Sequence, residues 1–291
     1  MDAVITYVDG RDPLWQKEFA QWAGAPIVEK RYRDWDTLRF LFRALEKNMP
    51  FLRRVFLIVS GPSQVPAWIS DKVRIVYHNE IIPEDQLPTF NSRTIEMFLH
   101  RIPDLDEQFL YFNDDMFPLL PCEAEDFFDG DRIRTGFTTH LLITGSYKSL
   151  IRDCDRFARK ALGQKAGISF IRPQHTVSPM LKSVCKELCE RFPEQIRYSL
   201  TRVRQKGNLG QYVFTLYAYF SGRAIRDRLS SKHLPLASIN AAALQSYLSS
   251  PTEKLVCLND GKLDETRAEA VRAVISRCFE KLFPDKSVYE R

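Results

Sequence analysis

Val55-Phe56-Leu57-Ile58-Val59, closed by Gly61-Pro62, is a run of five apolar residues with no polar alternation. A run of that length predicts a strand buried on both faces, and the Gly-Pro pair predicts the turn that ends it. Ahead of it lies a helical pattern. Asp36 is placed to cap it, Leu38, Leu41, Phe42 and Leu45 recur at helical spacing, and Asn48-Met49-Pro50 stops it. Earlier still, Ala3 to Val8 is a second apolar run rich in β-branched residues, broken by Asp9-Gly10-Arg11-Asp12-Pro13. Strand, helix and buried strand in that order imply a parallel crossover unit.

The same reading extends outward. Val73 to Tyr77 repeats the strand signal, and a polar segment punctuated by prolines runs from His78 to Pro88. Asn91-Ser92 can cap a helix carrying Ile95, Phe98, Leu99 and Ile102, with Glu96 and His100 four apart on another of its faces. Phe109 to Phe112 is a strand ending in Asn113-Asp114-Asp115. Beyond Pro121 the pattern loosens, and residues 129–175 show no clear period. Leu181, Val184, Cys185 and Leu188 mark one helix, Tyr212 to Phe220 another, Lys254 to Leu258 a last strand before Asn259-Asp260-Gly261, and Val271 to Leu282 a closing helix. The expected fold is α/β, a single domain. A Rossmann-like, mainly parallel sheet comes from residues 1–125 and 250–291, with a largely helical insertion over 140–235.

Hydrophobic residues make up 44% of the 291 and aromatics 12%, which fits a packed globular protein and excludes long disorder. The net charge of +5, from 42 basic and 37 acidic residues, is spread along the chain. It suits a phosphate-rich ligand, an anionic membrane surface or an ordinary solvated exterior, and gives no argument for nucleic acid. The six cysteines form no CxxC pair, so a zinc site is not expected, and Cys185 and Cys189 read as small buried residues. No signal peptide is expected ahead of Asp2, and no apolar run nears the roughly 20 residues that span a bilayer. The cytoplasm is the expected compartment, and the positive charge permits peripheral contact with the inner face of the plasma membrane.

Several residues carry chemistry. Asp114 and Asp115 would stand at the carboxyl end of a buried strand, where α/β sheets bind ligands, and adjacent carboxylates suit a hard cation such as Mg²⁺ or Mn²⁺. An Asp-Asp turn is also an ordinary loop or cap. Asn259-Asp260-Gly261 repeats the arrangement and has the same two readings. His175, just before a helix in a polar stretch, can take a proton from a hydroxyl or donate to a phosphate oxygen, or simply cap the helix. Arg202 and Arg204 alternate, so in an extended stretch they would project together as phosphate donors or as solvated charge.

The stretch Asp2 to Pro13 resembles the first conserved region of the Stealth family, with Tyr7 where the family usually has Trp. Arg31-Tyr32-Arg33-Asp34, Leu38-Arg39, Leu87 to Ser92, Ile95-Glu96, His100 to Pro103 and Phe112 to Asp115 are similar to the second, with Arg93 where His is common. His175 with Pro179, Phe192-Pro193 and Arg202 to Arg204 resemble the third, though Asn208 replaces an acidic residue. Val256 to Asp260 and Leu282 to Ser287 resemble the fourth. The resemblance covers nearly the whole chain.

It implies a GT-A-like fold and a phosphotransferase that moves a sugar-1-phosphate from a UDP-sugar, UDP-GlcNAc or similar, to a glycan acceptor and releases UMP, in contact with the inner membrane or a capsule-synthesis complex. It also implies Glu96, Asp115, His175, Arg204 and Asp260 as the active-site set. Asp114, Asp115 and Asp260 would hold the metal, and Asp9, Gly10, Arg33, Asn91 and Ser92 would lie at the nucleotide-sugar. Asp9, Asp115 and Asp260 are expected to converge. A metal-dependent glycosyltransferase releasing UDP and a non-catalytic glycan-binding protein are the competing readings.

Overall fold

The computed structural model describes residues 1–24, 27 and 32–291; Arg31 of the second motif lies outside them. Its centre is a five-stranded sheet. The four parallel strands are β1 (Asp2–Thr6), β2 (Arg54–Val59), β3 (Val73–Tyr77) and β4 (Gln108–Asn113), with β1 between β4 and β2 and β3 beyond β2. In register, Thr6 stands between Ile58 and Asn113. Ala3, Val4, Ile5 and Phe109 to Phe112 are completely buried, as continuous apolar runs in a sheet covered on both faces require.

Two helices precede β2. α1 (Pro13–Trp22) is capped by Asp12, which accepts from the Leu14 amide at 2.9 Å. α2 (Leu38–Asn48) buries Leu38, Leu41, Phe42 and Leu45 as expected. Its cap is Thr37, not Asp36, because the Asp36 carboxylate is taken by Arg11 at 2.9 Å and its backbone is left-handed at φ 59°.

Short α3 (His78–Ile81) and α4 (Ser92–Glu96) follow. Asn91 caps α4 as expected, but the helix does not run on to Ile102. After Glu96 it tightens into 3₁₀ turns, with Met97 donating to Thr94 and Phe98 to Ile95. Glu96 and His100 therefore share no helical face: Glu96 lines the main cleft and His100 a separate groove.

The middle of the chain is mixed. It contains β5 (Met116–Pro118), β6 (Phe128–Asp129), β7 (Arg132–Thr135), β8 (Phe137–His140), α5 (Gly145–Ala161), β9 (Phe170–Pro173), β10 (Ser178–Leu181), α6 (Lys182–Arg191), α7 (Pro193–Ser199), α8 (Tyr212–Phe220), β11 (Ala224–Arg226) and β12 (Ser231–Pro235). Helices α5 to α8 meet the expectation of a helical insertion. The strands amend it, since β10 adds antiparallel to β4 and completes the central sheet.

The end supplies α9 (Ala241–Ser249), β13 (Leu255–Asn259) and α10 (Glu265–Leu282). Asp264 caps α10, which buries Val271, Val274, Ile275, Cys278 and Phe279. Contrary to expectation β13 is not in the central sheet. It pairs parallel with β12 and antiparallel with β5, placing Cys257 opposite Met116 and the Leu258 amide 2.8 Å from the Asp115 carbonyl. That ladder brings Asp260 to Asp115 across the chain.

Candidate active site

All four parallel strands end in one cleft of about 810 Å³. Thr6, Tyr7 and Val8 enter it from β1, Ser60 from β2, His78 from β3, and Asn113, Asp114 and Asp115 from β4. This is the carboxyl edge at which α/β sheets receive ligands. The opposite wall comes from the inserted half: Tyr147 of α5, His175 between β9 and β10, Arg204 to Gly207, and Gln211 and Tyr212 at the start of α8. A third wall is aromatic. Trp15, Tyr32 and Phe90 line it, with Trp15 and Tyr32 ring centroids 4.8 Å apart and the Tyr32 hydroxyl donating to the Phe90 carbonyl at 2.9 Å.

The carboxylates form the floor. Burial raises the Asp114 carboxyl well above its ordinary range, and the neighbouring charges of Asp115 and Asp34 raise it further. Asp115 is pushed up to about 6, by burial first; the Cys257 hydrogen bond opposes the rise and Asp260 adds to it. Asp115 Oδ2 accepts from Cys257 Sγ at 3.6 Å, while its Oδ1 is buried with no hydrogen-bond partner. Asp260 is near Asp115 but engaged: Arg33 pairs with it at 3.2 Å and the Gly261 amide donates to it at 2.5 Å.

An unpartnered buried carboxylate oxygen beside a second carboxylate that burial disfavours is a donor set suited to a hard cation. Asp114 and Asp115 fit that chemistry. Asp260 would join them by turning from Arg33. Among the described residues the three carboxylates do not form a group whose donor atoms all lie within 4.8 Å.

Glu96 and Arg204 face each other from the two halves. Glu96 is buried, its carboxyl raised by burial and held down in part by the Gln211 amide, which donates to Oε2 at 2.7 Å, and by Arg204 and Arg93. Gly210 makes that approach possible, because a Cβ there would lie 2.8 Å from Glu96 Oε2. Arg204 donates to Ser92 Oγ at 2.6 Å and its Nε is buried without a partner. Arg202 does not share its direction: it donates to the Leu87 carbonyl and lies over the Trp22 ring at 4.8 Å, away from the cleft.

His175 precedes a strand, β10, rather than a helix, because helix α6 starts only at Lys182. Its Nδ1 is 2.5 Å from the Tyr212 hydroxyl. Its pKa is lowered to about 4 by burial, with His233 and Arg172 acting in the same direction, so the ring is neutral near pH 7. A neutral imidazole fixed at one nitrogen can accept a proton or donate a hydrogen bond at the other.

Three residues expected at the nucleotide do not line the cleft. The Asp9 carboxylate accepts from the Arg11 amide at 2.9 Å and Nε at 3.0 Å, so the expected convergence of Asp9 with Asp115 and Asp260 does not occur. Asp34, the last residue of the Arg31-Tyr32-Arg33-Asp34 motif, is the carboxylate that acts on Asp114 from this side. Gly10 serves the backbone: its amide donates to the Tyr32 carbonyl at 3.1 Å, and a Cβ would meet that oxygen at 2.4 Å. Asn91 is fully buried, donating to Thr201 and Asn208. Arg33 and Ser92 do line the cleft.

The sequence reading also missed Trp15, Tyr147, Tyr212, His233 and Cys257. Tyr212 sits where an apolar helix begins, and Cys257 two residues before Asn259-Asp260; those positions were their only local signals.

Residues 31–135 match the family model of Stealth protein conserved region 2, and residues 246–291 that of conserved region 4. Over its full length the chain is 31% identical to the receptor polysaccharide phosphotransferase WefC of Streptococcus oralis and 28% identical to the capsular polysaccharide phosphotransferase WcwK of Streptococcus pneumoniae, covering 99% of each. It is 32% identical to the exopolysaccharide phosphotransferase SCO6023 of Streptomyces coelicolor, of which it spans about half, 52%. Among solved structures it aligns with the galactosyltransferase LgtC in complex with donor and acceptor sugar analogues, at TM-score 0.44 and 12% identity over 95% of this chain and 96% of that one.

Proposed function

Because the chain belongs to the Stealth family of polysaccharide phosphotransferases, we propose that it moves a hexose- or N-acetylhexosamine-1-phosphate from a UDP-sugar to a hydroxyl of a bacterial surface glycan, releasing UMP. The acceptor oxygen forms a bond to the β-phosphorus while the bond from that phosphorus to the oxygen bridging it to the α-phosphate breaks. The sugar's anomeric bond stays intact, and the acceptor's proton leaves to a base.

The observation that carries this reading is the pairing of opposite chemistries across one cleft. Asp114 and Asp115 stand at the end of β4, and Arg204, with a buried unpartnered Nε, and neutral His175 stand on the inserted wall. Phosphoryl transfer needs positioning and charge stabilisation more than covalent catalysis, and a planar guanidinium fits the transferred phosphate. Arg204 binds that phosphate, held by Ser92. His175 takes the acceptor's proton at the nitrogen that Tyr212 leaves open, and Glu96 keeps Arg204 and the Gln211 amide in place. Asp114 and Asp115, with Asp260, would hold Mg²⁺ or Mn²⁺, which would supply positive charge for the donor phosphates. Trp15, Tyr32 and Phe90 give the nucleobase an apolar wall. No helix of the described residues is long and apolar enough to cross a membrane.

The test is incubation with a panel of UDP-sugars and glycan acceptors, with phosphorus NMR of the product and chromatography of the nucleotide. UMP together with a phosphodiester supports the proposal. UDP as the sole nucleotide, with a glycoside, makes the chain a glycosyltransferase instead.

A further inference from the structure

The described residues do hold one group of three potential ligands whose donor atoms all lie within 4.8 Å of one another, and it contains no carboxylate: His175, His233 and Cys257. We propose that these residues bind a soft divalent cation, Zn²⁺ in preference to Mg²⁺ or Mn²⁺, and that its binding switches the transferase off. The binding site stands on geometry alone, and the switch rests on the role proposed above for His175.

The ladder builds most of the site. His233 of β12 and Cys257 of β13 are direct partners in a parallel pair, so their side chains leave the same face of the small sheet. His175 reaches them from the loop between β9 and β10, its ring centroid 5.6 Å from that of His233. A ligating histidine is normally oriented by a hydrogen bond at its other nitrogen, and the Tyr212 hydroxyl supplies this at Nδ1, leaving Nε2 for the ion.

Two imidazoles and a thiolate are the donors Zn²⁺ selects, whereas the carboxylates next to them suit harder ions. Zinc bonds of about 2.0–2.3 Å call for tighter spacing than the 4.8 Å that bounds these donor atoms, and His233, the exposed member, can adjust by side-chain rotation while Cys257 stays buried. Three protein ligands leave a fourth position for water. On binding, the Cys257 thiol gives its proton to the buffer and the sulfur–metal bond forms. The hydrogen bond from Cys257 to Asp115 Oδ2 is lost, and His175 Nε2 no longer faces the acceptor.

The test uses the whole chain, stripped with EDTA and titrated with Co²⁺ as a spectroscopic stand-in for zinc. One equivalent should give a thiolate-to-cobalt charge-transfer band in the near ultraviolet and the intense visible bands of a four-coordinate ion. Zn²⁺ should displace it, and millimolar Mg²⁺ should not. Cys257→Ser should lose the charge-transfer band, and His233→Ala should weaken Co²⁺ binding at least tenfold. Absence of the band in the wild type, or its persistence in Cys257→Ser, overturns the site. The switch is read separately: with saturating Mg²⁺, micromolar free Zn²⁺ should inhibit the wild type but not His233→Ala, each compared with its own zinc-free rate. Equal inhibition of both overturns the switch. Failure of the transferase reading would appear as no phosphodiester product from either protein, and would leave the cobalt spectrum unchanged.

Discussion

Arg204 Nη2 donates to Ser92 Oγ at 2.6 Å, joining residues 112 apart in the chain and tying the inserted wall of the cleft to the first residue of α4. Loss of one charged donor aimed at a transition state costs about 3 kcal/mol, roughly a hundredfold in rate. Arg204→Ala should therefore lower kcat by about that factor. Arg204→Lys should be nearly as damaging, since Lys keeps the charge but cannot contact Ser92 and phosphate with one rigid fork. Ser92→Ala leaves the guanidinium charge but frees its direction, and should cost about tenfold. Steady-state kinetics of the three variants checks the order; Arg204→Lys at wild-type rate would sink the phosphate-binding role.

Asn208 stands where the family resemblance leads one to expect an acidic residue, and its amide shows why this chain uses Asn. Nδ2 donates to the Ser199 carbonyl at 2.7 Å, while Oδ1 accepts from Gln205 at 2.6 Å, Thr201 at 3.0 Å and Asn91 at 3.1 Å. Aspartate keeps the accepting side and turns the donated bond into a carboxylate–carbonyl contact. With Asn208 only 2% exposed, Asn208→Asp should lower unfolding stability by about 1–3 kcal/mol. Urea unfolding measures it, and an unchanged midpoint would mean that the loop ordering Arg204 does not depend on this residue.

The parts legible in the sequence are those whose signal is local. Strands β1, β2 and β4 and helices α2, α8 and α10 are long apolar runs or periodic faces, and each buries the side chains its pattern predicts. What was not legible is set by distant partners. Helix α4 stops early although Ile95, Phe98 and Leu99 keep the helical period, and its Glu96 carboxylate is matched to the Gln211 amide from another part of the chain. Strand β8 hides because Thr138 and Thr139 are exposed and carry no apolar alternation. The family resemblance places Asn91 and Asp9 at the nucleotide-sugar, yet a buried cap and an Arg11 pair use up their hydrogen-bonding groups. His233 and Cys257 meet only through strand register, which no spacing within the chain discloses.

Asp114 and Asp115 carry charge that the fold itself disfavours, so their neutralisation should separate stability from function. In EDTA at neutral pH, Asp114→Asn should melt higher than the wild type, because burial and the like charges of Asp115 and Asp34 no longer oppose folding. Added Mn²⁺ or Mg²⁺ should raise the wild-type Tm and leave that of Asp114→Asn unchanged, since a ligand stabilises only the state that binds it. Differential scanning fluorimetry with and without metal decides this. An equal metal-dependent rise in both proteins would remove Asp114 from the cation site.

His78 gives a pH dependence whose sign is fixed by burial. It begins α3, lines the cleft below β3 and is 6% exposed, and burial alone lowers its pKa from the ordinary 6.5 to about 4. In the unfolded chain the ring takes a proton near 6.5, whereas in the folded protein it stays neutral down to about 4. Between those values the unfolded state binds more protons, so stability falls as the pH falls. The contribution is fully present above 6.5 and is lost progressively toward 4, amounting to about 3 kcal/mol at the full shift. His100 and His175 are lowered to about 4 by burial as well and act in the same window, so the comparison has to be between variants. His78→Gln, which keeps a polar side chain but does not titrate, should have the flatter profile. Its stability relative to the wild type should improve by up to about 3 kcal/mol between pH 7.5 and pH 4, measured by urea unfolding at constant ionic strength. Parallel profiles for the two proteins across that range would show that His78 is protonated equally in the folded and unfolded states, contrary to its burial.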